Sequence, residues 1–272
     1  TEQVNSACTR PIIAVLHGLE GSKNSHYAKG MLSAIKAQGW VGVLMHFRGC
    51  SGRPNRMPQS YHSGQTCDVD YFSQYLASKY PDAKKAIVGF SLGGNVLTKY
   101  LAQQKQNIYQ AACVICAPLD LSSCSNRINR GFSRVYQKYL VDMLRASTVE
   151  KIQANLLHNI NTTQLNNVRS IREFDQMVTA PINGFIDAND YYKQASGRDV
   201  LQQITTPCLI IHAIDDPFLC HVNTTAITSL PKQMTFEVSA KGGHVGFISG
   251  NNPFKPRYWL EQRIPEFFTR YL

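Results

Sequence analysis

A three-layer α/β architecture, with a mostly parallel sheet flanked by helices, is what this sequence predicts, and three features predict it. Six short β-rich runs recur along the chain, helical patterns separate most of them, and the runs are continuously apolar rather than alternating. Continuous apolarity marks strands covered on both faces, and alternation with helices implies right-handed crossovers.

The strands are expected at 12–17 (IIAVLH), 41–47 (VGVLMHF), 85–90 (KAIVGF), 111–117 (AACVICA), 207–213 (PCLIIHA) and 234–240 (MTFEVSA). Helices are expected at 26–38, 67–80, 93–105, 221–229 and 257–271. Residues 118–205 break the rhythm. No good strand falls there, but FSRVYQKYLVDML places Phe132, Val135, Tyr136, Tyr139, Leu140 and Met143 on one helical stripe. The expected organisation is a core of 1–117 and 206–272 with a helical cap, 118–205, inserted after the fourth strand. The aromatic stripe of the cap is expected to wall an apolar pocket.

At 272 residues, 43% hydrophobic and 17% charged, the chain can build a substantial core and has an ordinary globular composition. No apolar run approaches the roughly 18 residues of a membrane span. The start, TEQVNSACTRP, lacks the basic-then-apolar pattern of a signal peptide. Eight scattered cysteines in a chain of this size point to reduced thiols and a cytoplasmic setting. Cys113 and Cys116 have CxxC spacing, but residues three apart on a strand face opposite sides, so neither a redox nor a metal pair is expected. The net charge of +10 is densest at Arg127, Arg130, Arg134, Lys138 and Arg145. A solvated helix face is the plain reading, and an affinity for anionic substrates or lipid surfaces is the sharper one. No motif points to nucleic acid.

The stretch VGFSLGGNVL, 88–97, holds a lone serine between glycines at the junction of a strand and a helix. Gly89-Phe90-Ser91-Leu92-Gly93 is GxSxG, a turn so sharp that bulky neighbours would collide, and it lifts the serine to the carboxyl end of the sheet where ligands gather. An activated serine needs a base, and the base needs a carboxylate to orient it. Asp215 and Asp216 follow the strand PCLIIHA, and His244 lies in the glycine-rich loop KGGHVG after the last strand. Their order, serine then acid then histidine, suits this kind of sheet. Asp216 begins the more fitting turn, with Asp215 the alternative.

His17, His46 and His212 end strands and could line the pocket, while His221 suits a helix end. A metal cluster of His212, Asp216 and His221 has little support, and no cofactor is implied. The loop HGLEG, 17–21, would supply one oxyanion donor through the N–H of Leu19, and Leu92 the other.

HGLEGSKNSHYAKG, MHFRGCSGRPNRMPQSYHSGQTCD, GFSLGGNVL, RGFSRVYQKYL, IREFDQMVTAPINGF, HAIDDPF and GGHVGF together resemble the bacterial YheT-type α/β-hydrolases, kin of eukaryotic medium-chain ester hydrolases and acyltransferases. The resemblance runs over essentially the whole chain. It implies the α/β-hydrolase fold and a carboxylic-ester hydrolase with Ser91 as nucleophile, His244 as base and the acid in the Asp215–Asp216 pair. It also implies opening strands ahead of HGLEG, where eleven residues precede Ile12 here. The expected activity is cleavage of short- to medium-chain esters through an acyl-enzyme, with a small, lipid-like ester as substrate. The alternatives are an acyltransferase or thioesterase with the same triad, or an inert hydrolase-fold binding protein.

Overall fold

The computed structural model describes residues 8–104, 106–219, 230–250 and 256–272. Six strands form one sheet: β1 (Ile12–Leu16), β2 (Val41–Met45), β3 (Lys85–Phe90), β4 (Ala111–Ile115), β5 (Cys208–Ala213) and β6 (Met234–Ser239). The order across the sheet is β2-β1-β3-β4-β5-β6, and every neighbouring pair is parallel. Parallel neighbours need long crossovers, and helices α1 (His26–Ala37), α2 (Cys67–Lys79) and α3 (Leu92–Gln103) supply the first ones.

Alternation along β1 shows how both faces are covered. Ile12, Ala14 and Leu16 pack with Val69 and Leu76 of α2 and Val96 and Leu97 of α3. Ile13 and Val15 face the other way, onto Met31 and Ile35 of α1 and onto the carboxyl-terminal helix (Leu260–Phe268) through Leu260 and Ile264. Strands buried on both faces explain why the apolar runs do not alternate.

Several predicted strands end early. His17, His46, Phe47, Cys116 and Ala117 lie just past the strand ends, where the chain turns over the rim of the sheet. A positive φ of 47° at Cys116 breaks the strand alternation, so Cys113 and Cys116 lie in the same apolar layer instead of on opposite faces. The predicted helix 221–229, with His221, lies outside the described residues. The last predicted helix is shorter than 257–271, because Arg257–Tyr258 instead pairs antiparallel with Ile248–Ser249.

Between β4 and β5 the chain is helical: α4 (Leu121–Ile128), α5 (Ser133–Gln153), α6 (Thr162–Asn167), α7 (Ile171–Phe174), α8 (Ala180–Ile182) and α9 (Ala188–Ala195). A π-helical turn, Asp175–Thr179, joins α7 to α8. Val141, Leu165, Val168, Phe174 and Val178 form a small core of their own there.

The orientation of α5 corrects the sequence reading. Phe132, Val135, Tyr136 and Tyr139 are exposed, while Ser133, Gln137, Val141, Thr148 and Lys151 are buried. Periodicity shows which residues share a face. It does not show which face is covered. Lys151 explains part of the choice: its Nζ donates to the carbonyls of Met57, Pro58 and Gln59 and to Ser60 Oγ, fastening α5 to that loop. Among the described residues, no helix is long and apolar enough to cross a membrane.

Candidate active site

The order of the sheet reverses direction between β1 and β3, so the loops leaving these two strands part and open a crevice at their carboxyl ends. Ser91 follows β3 in this crevice with φ 52° and ψ −122°, a conformation that costs a non-glycine residue about 1–3 kcal/mol. The glycines around it permit that turn. A Cβ on Gly89 would come 2.5 Å from the carbonyl oxygen of Gly93, and one on Gly93 would strike the carbonyls of Leu16 and His17. The serine therefore stands at the amino end of α3, facing positive dipole.

Ser91 Oγ lies 2.9 Å from His244 Nε2, and His244 Nδ1 lies 2.8 Å from Asp216 Oδ2. Asp216 is buried at 2% exposure and also accepts from the N–H of Phe218 at 2.8 Å. A carboxylate facing Nδ1 keeps the proton there and leaves Nε2 as acceptor for the serine hydroxyl. Asp215 points elsewhere: one carboxylate oxygen accepts from the N–H groups of Gly242 and Gly243, both at 2.8 Å, and braces the loop that carries His244.

The other histidines are placed differently. His17 is fully buried; its Nδ1 donates to the carbonyl of Gly18 and its Nε2 accepts from the N–H of Phe47. Burial pushes it down to about 4, so the ring stays neutral and holds two loops in register. His46 accepts from the N–H of Lys23. His212 is buried against Phe236, and neither ring nitrogen has a hydrogen-bond partner among the described residues. None of these three lines the cavity beside Ser91. His221 of the weak metal cluster lies outside the described residues. Donor atoms of Cys116, Asp216 and His244 do cluster within 4.8 Å. Both ring nitrogens of His244 are engaged within that chain, and burial pushes the Cys116 thiol well up, which keeps it protonated.

The loop after β1 is held by two tyrosines that sequence reading did not find. Tyr27 accepts from the N–H of Gly18, and Tyr61 accepts from the N–H of Glu20 and donates to Glu20 Oε1. The N–H of Gly21 donates to the carbonyl of Gly18. The N–H of Leu19 sits between these occupied groups. Leu92 is the first residue of α3, so its N–H has no carbonyl one turn back within the helix. Glu20 reaches further, accepting from Ser147 Oγ on α5. Asn95 on α3 is equally central: its amide donates to the carbonyls of Ser63 and Ala195 and accepts from the N–H of Gly197. These contacts join distant segments, and no local motif announces them.

Ser91 and His244 open onto a cavity of ≈ 260 Å³. Leu140, Leu144, Ile171, Phe174, Val178 and Ile182 give it an apolar wall drawn from residues 118–205. One carboxyl interrupts that wall. Asp175, in the π turn, accepts from Tyr192 at 2.8 Å, and burial pushes it up to about 6. The sequence reading expected an apolar wall from this segment and had Leu140 in it; it missed the other five residues and the carboxyl.

A parallel sheet carrying a strained serine after β3, with a histidine and a carboxylate from later strand ends, defines an α/β-hydrolase. The sequence profile described as the alpha/beta hydrolase fold matches residues 11–251, and the chain belongs to this family of enzymes. It is 47% identical to the YheT protein of Escherichia coli K12 over all of this chain and 80% of that one. It is 29% identical to the monoacylglycerol lipase of Saccharomyces cerevisiae over 97% of this chain, spanning 60% of that longer protein. Phospholipase ABHD3 of Mus musculus is 29% identical over 93% of this chain and 62% of its own length. Among solved structures, the Pyrococcus furiosus esterase Pf2001 shares the fold, with a TM-score of 0.61 at 15% identity over 98% of this chain and 85% of that one.

Proposed function

We propose that this chain is an esterase/lipase-type serine hydrolase that cleaves carboxylic esters through an acyl-enzyme, with Ser91 as nucleophile, His244 as base and Asp216 as the orienting acid. The single observation that carries this reading is the unbroken chain from Ser91 Oγ through His244 to the buried Asp216, at 2.9 and 2.8 Å, on the edge of an apolar cavity. In the first step Nε2 of His244 takes the hydroxyl proton while Oγ forms a bond to the ester carbonyl carbon. The N–H groups of Leu19 and Leu92 receive the oxyanion, and the alcohol leaves with the proton that His244 returns. Water, deprotonated by the same nitrogen, then releases the acid.

The residues 118–205 act as a cap whose inner wall holds the acyl chain. A cavity of ≈ 260 Å³ lies just below the roughly 300 Å³ at which small-molecule sites usually begin, which favours short to medium chains over long ones. The names of the relatives, which include an esterase, a monoacylglycerol lipase and a phospholipase, support an ester substrate of lipid-like character. No disulfide joins the described cysteines, which supports a reducing compartment, the cytoplasm.

The test is labelling with a fluorophosphonate probe. Wild type is expected to label and to hydrolyse p-nitrophenyl butyrate, whereas Ser91→Ala does neither. A wild type that stays unlabelled, or a variant that labels equally well, overturns the reading.

A further inference from the structure

The outward face of α5 is apolar where a solvated helix would be polar. Phe132, Val135, Tyr136 and Tyr139 are 76, 59, 44 and 64% exposed. Their spacing puts them on one stripe, and a contiguous exposed patch of this kind marks an interaction surface. The stripe is rimmed by cations. Residues 127–141 contain Arg127, Arg130, Arg134 and Lys138 and no aspartate or glutamate. Arg130, Arg134 and Lys138 are exposed. Downstream, Asp142 pairs with Lys138 and Arg145 and offsets only part of this charge.

The patch borders the candidate site. The rings of Phe132 and Tyr136 lie 6.1 Å apart, Tyr136 lies 5.5 Å from Phe218, and Phe218 lies 4.1 Å from His244. Ser133 beside it donates to the carbonyl of Pro217, tying the start of α5 to the loop that bears Asp216. An aromatic ladder thus runs from open solvent to the candidate base.

We propose that this face is a docking surface for an anionic lipid bilayer, which it sets against the rim of the cavity. An apolar stripe with Lys and Arg along its border is the pattern of a helix that lies in the lipid–water interface. A second copy of this chain would bring two cationic borders together, whereas an anionic leaflet satisfies the cations and the apolar side chains at once. The proposal goes beyond ester hydrolysis and is read without turnover.

The test is co-sedimentation with phosphatidylcholine vesicles, with and without an equal part of phosphatidylglycerol. Wild type is expected to pellet with the mixed vesicles at low salt, to stay in solution with phosphatidylcholine alone, and to be released by high salt. Phe132→Ser with Tyr139→Ser, and separately Arg134→Glu with Lys138→Glu, should each lower partitioning roughly tenfold or more. All four side chains are exposed, and the salt response needs no variant. The proposal fails if wild type ignores the anionic vesicles or if both variants pellet like wild type. It fails equally if wild type elutes as a dimer that either variant dissociates, because the face then serves a second copy.

Discussion

Asp215 and Asp216 hold one histidine loop from two sides. Asp216 takes the ring of His244, and Asp215, its neighbour in the chain, takes the backbone N–H groups of Gly242 and Gly243 ahead of that ring. Two adjacent carboxylates therefore have separable tasks, one electrostatic and one positional.

Their substitutions should separate in size. Asp216→Asn keeps the shape but disturbs the tautomer of His244, and is expected to lower kcat on the order of 10⁴-fold. Asp215→Ala frees the glycine loop and should lower kcat about tenfold, the equivalent of one hydrogen bond to a charged acceptor. Single-turnover rates on p-nitrophenyl butyrate check both. Equal losses would mean that the carboxylates share one role.

Tyr61 should matter for turnover more than for binding. Its hydroxyl joins both ends of Glu20, which sits at a φ of 52° beside the Leu19 N–H. Tyr61→Phe leaves that backbone N–H without its partner, a loss of about 1–3 kcal/mol in stability. If the loop places an oxyanion donor, kcat falls by roughly tenfold or more while KM moves little. A drop in melting temperature with unchanged kcat would assign Tyr61 to stability alone.

The strands and the serine turn were legible because their signals are local. Gly89, Ser91 and Gly93 lie within five residues, and each β run declares its burial by its own composition. Asp216 and His244 were legible because each follows a strand, and strand ends converge on one rim. Contacts between separate segments were not. Nothing near Tyr61 in the chain shows that it caps Glu20, and nothing near Lys151 shows that it grips four acceptors at 57–60. Of the stripe of α5 expected to wall the pocket, Leu140 lines the cavity while Phe132, Val135, Tyr136 and Tyr139 face solvent, since an amphipathic pattern carries no sign. The π turn at Asp175–Thr179 leaves no mark in the periodicity, so the cavity wall it builds stayed hidden.

Stability should fall in mild acid through three rings, with the buried Asp175 carboxyl, pushed up to about 6, opposing part of the fall. Burial pushes His17, His62 and His212 from 6.5 down to about 4 in the folded chain. As pH falls below 6.5 the unfolded chain takes up these protons and the folded one does not. The contribution of each ring is therefore complete above pH 6.5 and is lost progressively toward pH 4, at about 1.4 kcal/mol per pH unit for each. Urea unfolding across that window measures the slope. His212→Phe removes a ring without partners among the described residues and should flatten the slope by one proton's worth. An unchanged slope would mean that His212 is already charged or solvated in the folded state.

Acyl-chain preference should follow the volume at Val178. This side chain is 2% exposed and lines the cavity from the π turn. Val178→Phe fills space that an acyl chain would occupy, and it should lower kcat/KM for p-nitrophenyl octanoate relative to acetate by roughly 10- to 200-fold, the range for a methylene-scale misfit. Overpacking costs about 1–3 kcal/mol in stability, so Val178→Ala serves as the complement. It widens the same wall and should shift preference toward longer chains, measured against p-nitrophenyl palmitate. If neither variant changes the octanoate-to-acetate ratio, the acyl chain lies elsewhere, and the apolar wall of residues 118–205 does not select it.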